Sequence, residues 1–272
     1  MIRVVANPRA GGYSDALAAE VVRRCRRSPV GSTVDLVVVV GGDGTAGRVA
    51  AALGSSPMFV VPAGTANSFY RTLWGSTPWR TALDLALAGA PAVRVDLARV
   101  AELDRLVLSG AGTGFAPRAI HEAKTSGVPY TAALARLVDR YRPYPGRVLV
   151  DGVVVHSGPT LLANVGGGRY RGGAYELLPH SVLDDGLLDV CVLGAEHDAR
   201  RMLTLTRTGA HVDVPGVVYA RGRRIRVERV DRRPLWFEHD GEVVTRSRAG
   251  FTLTAVPAAV SVVAPPARAV AA

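Results

Sequence analysis

The sequence predicts an α/β layer over its N-terminal third, joined to a mostly β remainder. Three observations carry that expectation: a β-α-β opening, glycine-rich turns directly after short apolar strands, and a change to alternating valine-rich segments from Val93 onward. Arg3 to Ala6 and Asp35 to Val40 read as short buried strands, and the Ala/Val/Arg-rich stretch from Ser14 to Arg27 reads as the helix between them. A second helix is expected from Thr45 to Leu53, a strand from Met58 to Val61, and a helix from Trp79 to Ala88 that Pro91 stops. Strands alternating with helices in this way make a parallel sheet. The later strands are expected at Val93 to Val100, Leu106 to Ser109, Arg147 to Val155, Thr160 to Val165, Leu187 to Leu193, Arg223 to Val230 and Phe251 to Val256. Helices interrupt them at Tyr130 to Tyr141 and near Asp198 to Thr208, and the Ala/Pro-rich tail after Val263 reads as a frayed end.

The chain's 272 residues suit two modest domains or one large one, and 48% hydrophobic with 21% charged residues is the balance of a folded protein. No apolar run approaches the ~20 residues of a membrane span, and the N-terminus lacks the long apolar region of a secretory signal, so a cytoplasmic location is expected. Cys25 and Cys191 lie far apart with no Cys-x-x-Cys partner, which argues against a disulfide framework and a zinc cage. A formal net charge of +10 favours polyanionic partners: nucleic acid, an anionic membrane surface or phosphorylated substrates. Nucleic acid fits least, because no aromatic interleaving or binding module accompanies the arginines. Ile225 and Val227 alternate with Arg224 and Arg226, so that segment reads either as a basic face for anionic lipid or as a solvated strand face. Lys124 is the only lysine, and no Gly-x-x-x-x-Gly-Lys-Ser/Thr loop exists, which excludes a Walker-type NTPase.

Four local signals carry chemistry. Gly41-Gly42-Asp43-Gly44-Thr45 joins a valine strand to a helix, so its backbone N–H groups can face an anion while Asp43 offers a carboxylate where a phosphate-bound Mg²⁺ would sit. A tight structural turn and a dinucleotide fingerprint are the other readings, but the latter needs an acidic residue about 20 positions on, where Pro62-Ala63-Gly64 stands. Pro62 to Phe69 is a second loop of glycine, hydroxyl and amide donors, in which Thr65 or Asn67 serves either a phosphate or the cap of the next helix. Asp184 to Asp189 and Glu238 to Glu242 place carboxylates beside glycine, as a hydrophilic turn does and as a Mg²⁺ site or a general base does.

In this order the four signals resemble the diacylglycerol kinase catalytic family, which includes sphingosine and ceramide kinases and bacterial lipid kinases. The matching stretches are Asn7 to Gly11, Gly41 to Thr45, Pro62 to Phe69, Val95-Asp96, Gly114-Phe115, Asn164 to Gly173 with Pro179, Asp185 to Val190 and Asp240-Gly241-Glu242. NAD kinases and phosphofructokinases share the Gly-Gly-Asp-Gly loop, but the rest of the pattern, especially Asn164 to Val190, resembles the lipid kinases. The resemblance implies a parallel α/β nucleotide-binding domain of the NAD-kinase and phosphofructokinase type, at 1–96 with the returning 257–272, and a β-sandwich lipid-substrate domain at 97–256. It implies ATP held by Asn7, Pro8 and Gly11, by Gly41, Gly42, Asp43, Gly44 and Thr45, and by Gly64, Thr65 and Asn67. It further implies Asp43 and Asp96 in the catalytic Mg²⁺ network, Glu242 as the base for the lipid hydroxyl with Asp240 beside it, and a second Mg²⁺ on the Asp185 carboxylate and the carbonyls of Val182 and Leu187.

The implied activity is ATP-dependent phosphorylation of a diacylglycerol-like lipid alcohol by a cytoplasmic protein working at the inner membrane face, with a homodimer left open. The alternatives are a soluble NAD-kinase-like alcohol kinase and a catalytically decayed lipid- or nucleotide-binding protein. Where the family pattern has acidic residues, this chain has Arg48, Ser68 and, after Pro179, His180, and its segment from Ser28 to Thr33 is too short for the family's second strand and threonine-bearing loop. Arg48 is then positioned to contact a phosphate itself.

Overall fold

Runs that are apolar at every position are stable only as strands covered on both faces, and the strands around Leu36–Gly41 and Met58–Pro62 satisfy that condition, whereas the first strand is a half-exposed edge. In the computed structural model, which describes residues 1–28, 35–244 and 248–265, Ile2–Ala6 (β1) is followed by the helix Asp15–Arg27 (α1) and the fully buried strand Leu36–Gly41 (β2). The Ser14 hydroxyl accepts the Leu17 N–H to start α1, and an acidic first turn with an arginine-rich last turn suits the helix dipole. Asp43–Ala50 (α2), Met58–Pro62 (β3), Ser68–Trp74 (α3) and Trp79–Leu87 (α4) follow, and β1, β2 and β3 pair in parallel in that order.

The remainder begins with Ala92–Val100 (β4), Arg105–Val107 (β5), Ala111–Thr113 (β6), the helices Phe115–Ser126 (α5) and Tyr130–Leu137 (α6), Tyr144–Val150 (β7) and Val153–Gly166 (β8). Tyr170–Arg171 (β9), Tyr175–Glu176 (β10), Leu188–Gly194 (β11), Ala199–Leu205 (α7) and Val218–Gly222 (β12) come next. Arg224–Arg229 (β13), Phe237–His239 (β14), Glu242–Val243 (β15) and Gly250–Val263 (β16) complete it. β16 joins the two parts of the sheet: its first half pairs antiparallel with β13, Val262 lies parallel to Met58 of β3, and β4 runs antiparallel beside both halves. Between the halves the register slips, and Ala258 takes a positive φ of 48°.

One apolar core covers β2 and β3 and includes Val260, Val262 and Val263 from the end of β16. Two more fill the β-rich part, one around Val148, Ile225 and Phe251, the other where α5, α6 and α7 meet Leu162 and Leu193. Among the described residues no helix is long and apolar enough to cross a membrane.

Three expectations change. The strand expected from Arg147 to Val155 is a hairpin, because Asp151 and Gly152 adopt positive φ (49° and 88°) as a two-residue turn that returns β7 into β8. α5 has no counterpart in the sequence reading, although Pro117 in its first turn and the left-handed Gly127 after its end are ordinary helix signals. The strand expected at Phe251 to Val256 continues through Pro257 to Val263. The shortened segment lies, from residue 29 onward, outside the described residues, as does the tail beyond residue 265.

Candidate active site

Two glycine turns at the C-terminal edge of the parallel strands touch backbone to backbone. A Cβ on Gly42 would stand 2.8 Å from the Gly64 Cα, and one on Gly64 would stand 2.4 Å from the Gly42 Cα, so the contact exists only with glycine at both. Side chains fasten it. Asp43 accepts the Ser68 N–H on Oδ2 (2.9 Å) and the Phe69 N–H on Oδ1 (2.8 Å), so the first turn caps the helix that follows the second. The Asn67 carboxamide closes its own loop, accepting from the Gly64 N–H and donating to the Gly64 carbonyl, both at 2.8 Å. Asn7 donates through Nδ2 to Thr45 Oγ1 (2.8 Å), which ties the loop after β1 to α2.

These loops line one cleft of about 450 Å³. Asn7 and Gly11 contribute from the first loop, Gly42 to Thr45 from the second, and Gly64 and Thr65 from the third. Pro8, Gly41 and Asn67 are not in its wall: Pro8 is exposed, Gly41 ends β2 packed on the Thr45 side chain, and Asn67 is consumed in closing its loop. The same cleft is lined by Phe115, Ile120, Leu134, Tyr175 and Leu193, an apolar wall that α5, α6, β10 and β11 supply.

The turn Asp240-Gly241, with φ of 46° and 79°, brings β14 back as β15 and places Glu242 in the cleft. Asp240 is held from behind, its carboxylate accepting the N–H groups of Leu108 (2.9 Å) and Ser109 (2.8 Å). Lys124 donates from Nζ to the Gly241 carbonyl (3.0 Å), and the Arg48 guanidinium meets the Glu242 carboxylate. The residue that departs from the family pattern therefore contacts the candidate base directly.

Sequence reasoning missed the charge at the floor of this cleft. Arg171 is buried and donates to the carbonyls of Ser109 (2.7 Å) and Tyr170 (2.9 Å) and to Asn164 Oδ1 (3.2 Å), facing Glu238, Asp240 and Asp43 electrostatically. Burial pushes Glu238 and Asp240 each up to about 7, with the mutual repulsion of the carboxylates adding to it, while Arg171 opposes the shift. Burial also raises Asp43. A carboxylate raised in the folded state binds its proton more tightly there, so the stability it contributes is full below the unfolded value near 4 and is lost as pH rises through about 7. Glu238→Gln, whose amide oxygen can still accept the Gly241 N–H, should make the fall in unfolding free energy between pH 5 and pH 7.5 shallower. Urea denaturation across that range checks this, and parallel slopes for both proteins would refute it.

The implied metal ligands separate into two places. Asp43 lines the cleft, and with the Ser68 and Phe69 N–H groups and the Ser68 hydroxyl as its partners the carboxylate still has acceptor capacity to spare, which fits a Mg²⁺ that arrives with nucleotide phosphates. Asp96 is not in the cleft wall: its Oδ2 accepts the Gly186 N–H (2.6 Å) and its Oδ1 the Ala258 N–H (2.7 Å), so it pins the Asp185 loop to the kink of β16. Asp185 is paired with the Arg221 guanidinium, while Val182 is exposed on the same loop and the Leu187 N–H bonds Asp185 Oδ1 (3.0 Å). The arginine-rich β13 does alternate, with Ile225 and Val227 buried, but Arg226 pairs with Glu102 and Glu228, and Arg229 with Asp231, so much of its charge is matched within the chain.

Residues 12–100 match the family described as the diacylglycerol kinase catalytic domain, and residues 108–264 match the YegS C-terminal NAD kinase beta sandwich-like domain. A protein of Pectobacterium atrosepticum named "Probable lipid kinase YegS-like" is 33% identical over 243 residues, covering 85% of this chain and 79% of that one. A diacylglycerol kinase of Mycobacterium tuberculosis is 30% identical over 226 residues, covering 77% and 72%. A crystal structure of a diacylglycerol kinase from Bacillus anthracis superposes with a TM-score of 0.71 at 22% identity, covering 98% of each chain. An NAD kinase from Archaeoglobus fulgidus in complex with ATP superposes at 0.53 and 15% identity, over 97% of this chain and 93% of that one. The fold is thus the α/β plus β-sandwich arrangement of these kinases, and the matches span both parts of the chain. With glycine loops and an acidic hairpin turn facing one cleft, the chain is a kinase that belongs to the diacylglycerol kinase and YegS lipid kinase family.

Proposed function

We propose that this protein transfers the γ-phosphoryl group of ATP to a hydroxyl of a diacylglycerol-like lipid at the inner membrane face, as a peripheral cytoplasmic enzyme of phospholipid metabolism. The observation that carries the reading is the continuity of one cleft, which joins phosphate-sized glycine loops and the Glu242 carboxylate to the apolar wall of Phe115, Ile120, Leu134, Tyr175 and Leu193. A soluble nucleotide acceptor has no use for such a wall, whereas an acyl chain does. Nucleotide would be held by the part spanning 1–96 with 257–272, and lipid by 97–256; the packing of Val260 and Val262 into the first core supports that division.

The backbone N–H groups of the Gly42 and Gly64 turns orient the phosphates, with Asp43 fixing the two turns against each other and the Asn7–Thr45 bond holding the loop after β1 beside them. Glu242 accepts the proton of the lipid hydroxyl as its oxygen bonds the γ-phosphorus and the bond from that phosphorus to the bridging oxygen of ADP breaks. A Mg²⁺ bound with the nucleotide, within reach of Asp43, would neutralise developing phosphate charge. Asp240 keeps the hairpin turn in place from behind.

Labelled ATP with Mg²⁺ and a mixed lipid extract in micelles, with NAD in a parallel tube, tests the reading. Label is expected in a lipid. Label in NAD instead would replace the lipid by a soluble acceptor, and tight binding of ATP with no transfer to either would identify a decayed enzyme that only binds its ligands.

A further inference from the structure

The family resemblance implies a second Mg²⁺ on the Asp185 carboxylate and the carbonyls of Val182 and Leu187, and the residues around that loop do not fit one. Asp185 has both oxygens engaged, Oδ1 by the Leu187 N–H (3.0 Å) and Oδ2 by the Arg221 guanidinium. Arg221 is held there by the sheet: it stands directly opposite Asp189 in the β11–β12 pairing, and its Nε lies 3.5 Å from Asp189 Oδ1. A guanidinium between two carboxylates fills the position where a dication would be attracted, and it repels any dication that approaches.

The surroundings are matched to this arrangement. Asp189 is fully buried and also accepts the Tyr219 hydroxyl (2.8 Å), while the His180 ring, standing where the family pattern has an acidic residue, packs edge-on against Tyr219 at 5.2 Å. Asp96 fixes the loop from its other side through the Gly186 N–H (2.6 Å). Among the described residues no three His, Cys, Asp or Glu side chains are grouped to hold a metal.

We propose that Arg221 is the resident cation of the Asp185 loop, supplying through a covalently attached charge what a structural divalent ion would supply, so that the β-rich part is stable without one. The melting temperature of the nucleotide-free full chain, in EDTA and in millimolar Mg²⁺ or Ca²⁺, tests this with the wild type, Arg221→Lys, Arg221→Met and Asp185→Asn. The wild type is expected to melt at the same temperature with and without the divalent ion. Arg221→Met is expected to melt roughly 3–6 °C lower, with Arg221→Lys close to the wild type because it keeps the charge. A wild-type melting temperature that rises with Mg²⁺ or Ca²⁺, and no longer rises in Asp185→Asn, would overturn the proposal by placing an ion in the loop. So would Arg221→Met melting with the wild type, or Arg221→Lys falling as far as Arg221→Met. If Asp185→Asn fails to fold, isothermal titration of the wild type with Ca²⁺ decides: a binding isotherm that is retained in Asp43→Asn counts against Arg221, and its absence counts for it.

Discussion

Replacing Glu242 by Gln should lower kcat by roughly 10²–10⁴-fold, the usual contribution of a positioned general base. The side chain is half exposed, and its ion-pair partner among the described residues, Arg48, is equally exposed, so the melting temperature should stay within about 2 °C of the wild type. The amide preserves the size and the hydrogen-bonding reach of the carboxylate but cannot take a proton from a hydroxyl. Nucleotide affinity should be unchanged, since the glycine turns proposed to hold phosphate are fixed by Asp43, Asn67 and Asn7 and not by Glu242. Steady-state kinetics with the lipid identified by the labelling assay, alongside equilibrium ATP binding, separates these effects. A variant that keeps its kcat within about tenfold would remove Glu242 from the chemistry.

Arg171→Met should destabilise the fold by about 3–5 kcal/mol, the cost of removing one partner from a buried set of charges. The substitution keeps an unbranched apolar stem but leaves the carbonyls of Ser109 and Tyr170 and the Asn164 amide oxygen without their donor. It also leaves Asp43, Glu238 and Asp240 with no buried cation facing them among the described residues. That second effect depends on ionisation, so the gap between variant and wild type should narrow as pH falls from 8 to 5 and the carboxylates take up protons. Chemical denaturation at both pH values measures it; a loss under about 1 kcal/mol would show that the arginine is not the counter-charge of the cleft.

The parts of the site that were legible in the sequence are those whose meaning is local. A glycine turn between an apolar strand and a helix announces itself within a few residues, and Gly42 to Thr45 and Gly64 to Thr65 do line the cleft. Arg171 was illegible for the opposite reason. Arg171 sits on a two-residue strand and its partners come from Ser109, Asn164 and the floor of the cleft, so only the folded chain reveals that one buried cation balances several acids. Asp96 shows a third case: the motif was visible, but strand register decides where a carboxylate goes, and here it sends Asp96 to the kink of β16. Asp151-Gly152 was readable as a hairpin turn and was overrun only because valines flank it on both sides. α5 was obscured by the glycine-rich strand residues just before it.

The double membership of β16 has a consequence for how the protein is made. Val262 pairs with Met58, and Val260 and Val263 complete the core that covers β2 and β3, so strands translated first wait for a strand translated much later. Pairings of such wide sequence separation are slow to form, because the intervening chain must be closed before they yield anything. During synthesis the glycine loops emerge early, on a sheet that lacks one of its strands, and nascent β3 presents an unpaired edge until residues 250–263 leave the ribosome. A prematurely terminated chain therefore carries the glycine loops on a sheet that lacks β16 and the core residues it brings.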